Sequence, residues 1–322
     1  MAQDKAAFRS SQKLGPARRP APALSASVLS VNGVGLDIGT ANIVAARETA
    51  KGHEIRHGRN AFLVIREDLA TQKLLTKMRI TLQKVKDKAC IVGKNAIEFS
   101  NYFDRPAQRP MPAGVIDPLQ REAIHVLNLI VKGILWEPRV PQEACCFSVP
   151  GQPIEGRINI PYHGNIIETM LSVSGYKVHS INEGHAVVMA FSIARGGDWI
   201  DVQAANALDQ SINKVTGIKE KGMSIVWPEG PAEEAIARAY KEYIKFLLEQ
   251  TALVLQLSDT FAQITEPLDM VFAGGTVMVG GFMEVVQQEL ASLHLGIPLG
   301  NIRKAEDPTH SVAKGCLYSA RQ

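Results

Sequence analysis

Long apolar runs are missing from this 322-residue chain. No stretch approaches the roughly 20 apolar residues that a membrane-crossing helix needs, so no spanning segment is expected. Cysteine is scarce as well. Cys90, Cys145, Cys146 and Cys316 include no C-x-x-C pair, and Cys145 and Cys146 are adjacent. Neighbours in a strand point to opposite faces. Neither a metal site nor a disulfide framework is legible, and a reducing cytoplasm is the simplest compartment. No G-x-G-x-x-G opens a βαβ unit, which leaves a dehydrogenase unsupported.

Charge of either sign is also nearly absent as an excess: 35 basic against 32 acidic residues give +3. Lys5, Arg9, Lys13, Arg18 and Arg19 against Asp4 put +4 of this in residues 1–32, so the remainder stands at −1. A basic nucleic-acid face on the folded part is therefore not implied, and no sequence-specific nucleic-acid partner is expected. Residues 1–30 are rich in Ala, Pro, Ser and Arg and have no period. They are expected to form a disordered basic tail that would touch anionic membrane or stay solvated. Ala23–Val31 is too short, and too interrupted by serine, for a signal-peptide core.

What remains is an ordinary globular composition, 46 % hydrophobic and 21 % charged, long enough for two domains. Strands are predicted at Val34–Arg47 (broken by a turn), His53–Arg59, Phe62–Ile65, Cys90–Gly93, Cys145–Val149, Tyr176–Ile181 and Met270–Ala273. Helical spacing marks Asp117–Trp136, Gly164–Ser174, Asp198–Leu208, Phe282–Leu293 and Val312–Ala320, and a helix is expected to start at Glu183–Met189. Ala232–Leu257 is the clearest helix: Ile236, Tyr240, Tyr243, Leu247, Thr251 and Leu255 form one stripe. Alternating strands and helices mean an α/β fold.

Three short segments could carry chemistry. Asp37-Ile38-Gly39-Thr40 makes a tight turn whose N–H groups could face a phosphate, with Asp37 able to hold Mg²⁺ through its water shell; many ordinary hairpins share it. Phe272 to Phe282 runs from an apolar strand through glycines into a helix, which suits an anion or a flat ring, or a plain connection. Lys219-Glu220 could offer a donor and an acceptor to a nucleoside, or form a solvated helix face.

Together and in this order, these segments resemble the superfamily of actin, MreB and the heat-shock-chaperone ATPases, most closely its bacterial MreB-like members. Gly35–Thr40 resembles the first phosphate loop, Gly274–Gly280 the adenosine motif, and Ile218–Lys221 the purine and ribose segment. Ser180–Glu183 and Val312–Cys316 resemble the two connecting helices; Val92–Ala96 and Arg109–Asp117 resemble MreB segments. The resemblance implies a two-lobed, ribonuclease H-like duplicated fold. Residues 31–180 would form a first lobe with a small subdomain around 60–110, and residues 181–322 a second. It implies ATP and Mg²⁺ as cofactors. Asp37, Gly39, Thr40 and Asn42 would bind phosphate, Asp37 also the metal. Lys219, Glu220, Gly274, Gly275, Thr276 and Met278 would meet the nucleoside. Glu183 would polarise the attacking water, although Gly184 follows it where the family usually has proline.

One departure is large. The family places a second phosphate hairpin after the first connecting helix. Two strands and a turn need about ten to fifteen residues. Here Glu183–Met189 passes straight into Ala190–Asp198, which resembles the segment that normally follows that hairpin. The second lobe is therefore expected to be incomplete and hydrolysis impaired, unless Arg195–Asp198 serves as a makeshift phosphate loop. The stretch between Lys221 and Ala232 is also short for this family, which puts its filament contacts in doubt. The implied functions are a filament-forming ATPase for cell shape or intracellular positioning, a non-polymerising nucleotide-binding scaffold of the pilus-assembly kind, or a product with neither activity. Partners would be further copies of the chain and cytoplasmic or membrane-associated proteins, with a cytoplasmic location reaching the inner membrane.

Overall fold

The computed structural model describes residues 33–322 apart from 67, 81, 86–87, 104, 113, 152–158, 184–195 and 258–264. The expected N-terminal tail and the Met189–Ala190 junction lie outside the described residues.

Strands β1 (Val34–Ile38) and β2 (Asn42–Thr49) form an antiparallel hairpin whose pair nearest the turn is Ile38 with Ile43. β3 (Gly52–Arg59) pairs antiparallel with β2 from Asn42 opposite Arg59 to Thr49 opposite Gly52. The chain then builds a separate three-stranded sheet from β4 (Phe62–Ile65), β5 (Gln83–Val85) and β6 (Lys88–Val92), in the order β4-β6-β5. Helices α1 (Leu69–Lys77) and α2 (Lys94–Tyr102) accompany it. Their core is a cluster of its own, from Ala61, Leu63 and Leu75 to Ile91 and Phe99.

Helix α3 (Arg121–Ile134) leads back to the first sheet. Ala123, Val126, Leu127, Ile130, Val131 and Ile134 are its buried residues, the i, i+3, i+4, i+7 spacing of one face. β7 (Ala144–Val149) pairs parallel with β1, and after α4 (Ile160–Val173) β8 (Lys177–Asn182) pairs parallel with β7. The completed sheet runs β3-β2-β1-β7-β8. Alternation sorts its two faces. Val34, Leu36, Ile38, Cys145 and Phe147 join the core with α3, whereas Cys146 belongs to a cluster on the opposite face. Cys145 and Cys146 thus point apart, as the strand geometry requires.

Helices α5 (Gly197–Leu208), α6 (Ile212–Glu220) and α7 (Gly230–Leu257) form the next body, with β9 (Leu268–Phe272), α8 (Phe282–Leu290) and β10 (Leu299–Lys304). The seam of α7 is Ile236, Tyr240, Ile244, Leu248, Ala252 and Leu255; Leu247 and Thr251, expected in the stripe, lie half-buried at its edge. Among the described residues, the sheet of this body has two strands, β9 and β10, paired in parallel.

The last helix, α9 (Ser311–Ala320), was expected to belong with residues 181–322. It packs instead on the first sheet: Ala313 and Leu317 cluster with Val44 and Ala46, and Cys316 with Cys146. Gly35 makes this possible. A Cβ there would stand 2.1 Å from the Ala313 carbonyl oxygen and 2.2 Å from the Leu317 nitrogen. Among the described residues, no helix is long and apolar enough to cross a membrane.

Candidate functional site

The β1–β2 turn stands at the C-terminal end of the central strand, beyond the part that α9 covers. Asp37 is on the α9 face of β1, with Gly35. The Ser148 hydroxyl, on neighbouring β7, donates to the Asp37 carboxylate at 2.9 Å and accepts from the Ile38 N–H at 3.3 Å. Burial pushes Asp37 up to about 6 against the lowering effect of Ser148. Glu183 follows β8 directly. Burial, and then the charge of Asp37, push it up to about 7. The first sheet therefore brings two carboxyls with raised pKa to one edge, each penalised for losing its proton.

Two carbonyls of the turn, those of Gly39 and Ala41, are held from the outside. Asn60 Nδ2 donates to the Gly39 carbonyl at 2.9 Å, and Asn60 N–H to the Ala41 carbonyl at 3.0 Å. Arg109 Nη1 reaches the carbonyls of Ala41 at 3.5 Å and Asn60 at 3.4 Å. Arg59 donates to Asn42 Oδ1 at 3.2 Å. Among the described residues, the N–H groups of Gly39 and Thr40 have no acceptor. A Cβ on Gly114, whose φ is +79°, would lie 3.8 Å from Thr40 Oγ1, so the Arg109–Asp117 segment passes close by.

Across from the turn, Lys219 on α6 forms an ion pair at 2.5 Å with Asp201 of α5, which is 2 % exposed. Thr216 donates to the same carboxyl at 2.8 Å. Burial raises Asp201, while Lys219 and Thr216 lower it. Lys219 also donates to the Gly197 carbonyl at 3.3 Å. A Cβ on Gly197 would stand 3.4 Å from Thr276 Oγ1 and 3.7 Å from Lys219 Nζ. Gly197 at the start of α5 thus brings Lys219 and Thr276 together. Gly274 adopts φ +98°, where side chains are strained, and Gly275–Met278 form a 3₁₀ turn with Val277 buried. Met278 is 55 % exposed.

Side-chain bridges link the two groups. Arg59 forms a close ion pair with Glu220 at the end of α6. Arg109 Nη2 lies 3.5 Å from Asp198 on α5. Asn213 of α6 donates to Ser100 of α2 at 2.7 Å. Asp37, Gly39, Thr40, Asn42 and Glu183 stand on one side of this seam, and Lys219, Thr276 and the Gly274–Gly275 turn on the other. Glu220 is drawn across it, toward Arg59. Sequence reasoning missed the roles of Arg59, Asn60 and Ser148. Asp201 and Arg109 stood inside motifs it had noted, but no contact was assigned to them.

The donor set suits a magnesium-nucleotide group. Two carboxyls with raised pKa sit without a basic partner among their described contacts, beside a turn whose Gly39 and Ala41 carbonyls are already bonded. Asp37 could hold Mg²⁺ through water. Among the described residues, no group of three His, Cys, Asp or Glu side chains is placed to hold a metal alone.

The carboxyl pair also sets a stability test. Both groups bind a proton more tightly in the folded chain than at their ordinary values of 3.8 and 4.5. From about those values up to about 7 the folded chain carries the extra protons, so stability falls as pH rises through that window. Asp37→Asn is expected to melt higher than the unaltered chain at about pH 8, and to lose most of this advantage near pH 4. Equal melting differences at both pH values would contradict it.

A five-stranded mixed sheet with helices on both faces, followed by a second α/β body, is consistent with an actin-like fold. A non-polymerising point mutant of MamK bound to AMPPNP shares it, with a TM-score of 0.50, 17 % identity, and coverage of 90 % of this chain and 98 % of that one. The chain belongs to the Volactin family, which matches over residues 33–190 and again over 188–320. No curated protein matches it.

Proposed function

We propose that this chain binds an adenine nucleotide with Mg²⁺ between its two bodies, and acts in an MreB-like way as a component or modulator of cytoplasmic filaments. The observation that carries the reading is the placement of Asp37 and Glu183 on one side of a seam whose other side holds Lys219, Thr276 and the Gly274–Gly275 turn. AMPPNP in the MamK mutant supports a nucleotide in this fold. The bound metal would neutralise phosphate charge. Gly39 and Thr40 would donate to phosphate, Asn60 and Arg109 keep the turn in shape, and Thr276 with Lys219 would border the ribose. Glu183 would orient a water, with its raised pKa suited to taking a proton.

Hydrolysis is proposed to be weak, because a second phosphate hairpin has no room at Met189–Ala190. One feature supports this: the family matches in two pieces that meet at 188–190.

Calorimetric titration with ATP and Mg²⁺ tests the reading. Saturable binding is expected, weakened about tenfold or more by Asp37→Ala, consistent with losing a metal-linked charge interaction. No heat and no thermal shift with ATP and Mg²⁺ would sink it. Nucleotide-dependent pelleting separates a filament component from a non-polymerising scaffold.

A further inference from the structure

Resting on the nucleotide reading, we propose that Arg59 and Arg109 are phosphate-binding residues that exchange carboxylate partners on the second body for the phosphates of the ligand. Both guanidinium groups flank the β1–β2 turn, Arg59 on Asn42 Oδ1 and Arg109 on the Ala41 and Asn60 carbonyls. Each also reaches across the seam to one carboxylate, Glu220 and Asp198 respectively.

Burial decides which cation can be redirected. The seam holds Lys219, Arg59 and Arg109 against Asp37, Glu183, Asp198, Asp201 and Glu220. An incoming polyphosphate adds negative charge and needs cations. Lys219 cannot leave Asp201, because that carboxyl is 2 % exposed and would be stranded without a partner. The side chains of Glu220 and Asp198 are 42 % and 34 % exposed, so each can return to water when its arginine turns away. The Arg109–Asp198 contact is also long, at 3.5 Å. The planar guanidinium fork matches phosphate oxygens in pairs, which an exposed carboxylate pair does not outcompete. Glu220, once released, is free to accept from ribose hydroxyls, the role its sequence context suggested. The two arginines supply positive charge beside the β1–β2 hairpin.

The test compares adenosine, ADP, ATP and inorganic pyrophosphate, titrated calorimetrically into the unaltered chain, Arg59→Gln, Arg109→Gln, the double variant and Asp198→Asn. The double variant is expected to bind ATP and pyrophosphate at least about tenfold more weakly, with adenosine unchanged, as for losing charge-assisted phosphate contacts. Asp198→Asn, which removes only the competing carboxylate, is expected to bind pyrophosphate more tightly. This second variant keeps the test decisive if the double variant unfolds. Equal loss for adenosine and ATP, or unchanged pyrophosphate binding in the double variant and in Asp198→Asn, would overturn the exchange. If the unaltered chain binds none of the four ligands, the nucleotide reading falls with it. ATP binding that ignores the arginines would overturn only the exchange.

Discussion

Gly35→Ala is expected to lower the melting temperature by about 10 °C or more, an outsized effect for one added methyl group. Overpacking in a close-packed core typically costs about 1–3 kcal/mol, and here the new atom meets backbone, which cannot rotate away. The Cβ would stand 2.1 Å from the Ala313 carbonyl oxygen and 2.7 Å from the Leu317 Cα. Gly35 sits on the central strand, with β2 on one side and β7 on the other, so the strand cannot yield. Helix α9 must lift instead, exposing Leu317, Cys316 and Ala313, all now at 0–2 % exposure. At about 3 °C per kcal/mol for a chain of this size, roughly 3–4 kcal/mol gives a shift of about 10 °C. Thermal unfolding followed by circular dichroism measures it, and faster proteolysis at the C-terminal helix should accompany it. A melting point within about 2 °C of the unaltered chain would show that α9 does not pack on Gly35 this closely.

The second large effect is a gain. Insertion of a family-type phosphate hairpin of about ten to fifteen residues after Met189 is expected to raise ATP turnover about a hundredfold. Phosphoryl transfer depends on positioned donors and metal-linked charge more than on covalent chemistry. In the unaltered chain, one turn, Gly39–Thr40, is proposed to supply these donors. An inserted hairpin would add a second set of N–H groups and a second carboxylate, and would give β9 new strands to pair with. Turnover is measured by phosphate release under saturating ATP and Mg²⁺, with Glu183→Gln in the inserted chain as the control that should return it to background. Unchanged turnover in an inserted chain that folds and binds ATP would remove the missing hairpin as the reason for weak hydrolysis.

Much of the scaffold was legible because its signals are local. The Asp-Ile-Gly-Thr turn, the one-faced apolar spacing of α3 and the long stripe of α7 each declare themselves within a few helical turns or strand residues. The small subdomain was harder. Helix α1 buries only Leu75, and β5 spans Gln83–Val85, so neither leaves a period to find. β10 reads as polar, with Asn301, Arg303 and Lys304 among its six residues. The arginine bridges were beyond reach for another reason: Arg59 and Glu220 are 161 positions apart, and no local pattern encodes such a pairing. In sequence, Lys219 and Glu220 stand as a matched pair facing one ligand. The fold turns them to different partners, because buried Asp201 claims the lysine while Arg59 claims the glutamate.

The seal over β1 has a consequence for how the polypeptide acquires its shape. The middle strand of the main sheet, Val34–Ile38, is closed on one of its faces by a helix far along the chain, Ser311–Ala320. A chain emerging from the ribosome carries that strand half-covered until the distant helix has been made. Contacts of such long sequence separation slow folding and prolong exposure of apolar surface, so the nascent chain depends on whatever shields Val44 and Ala46 during that wait.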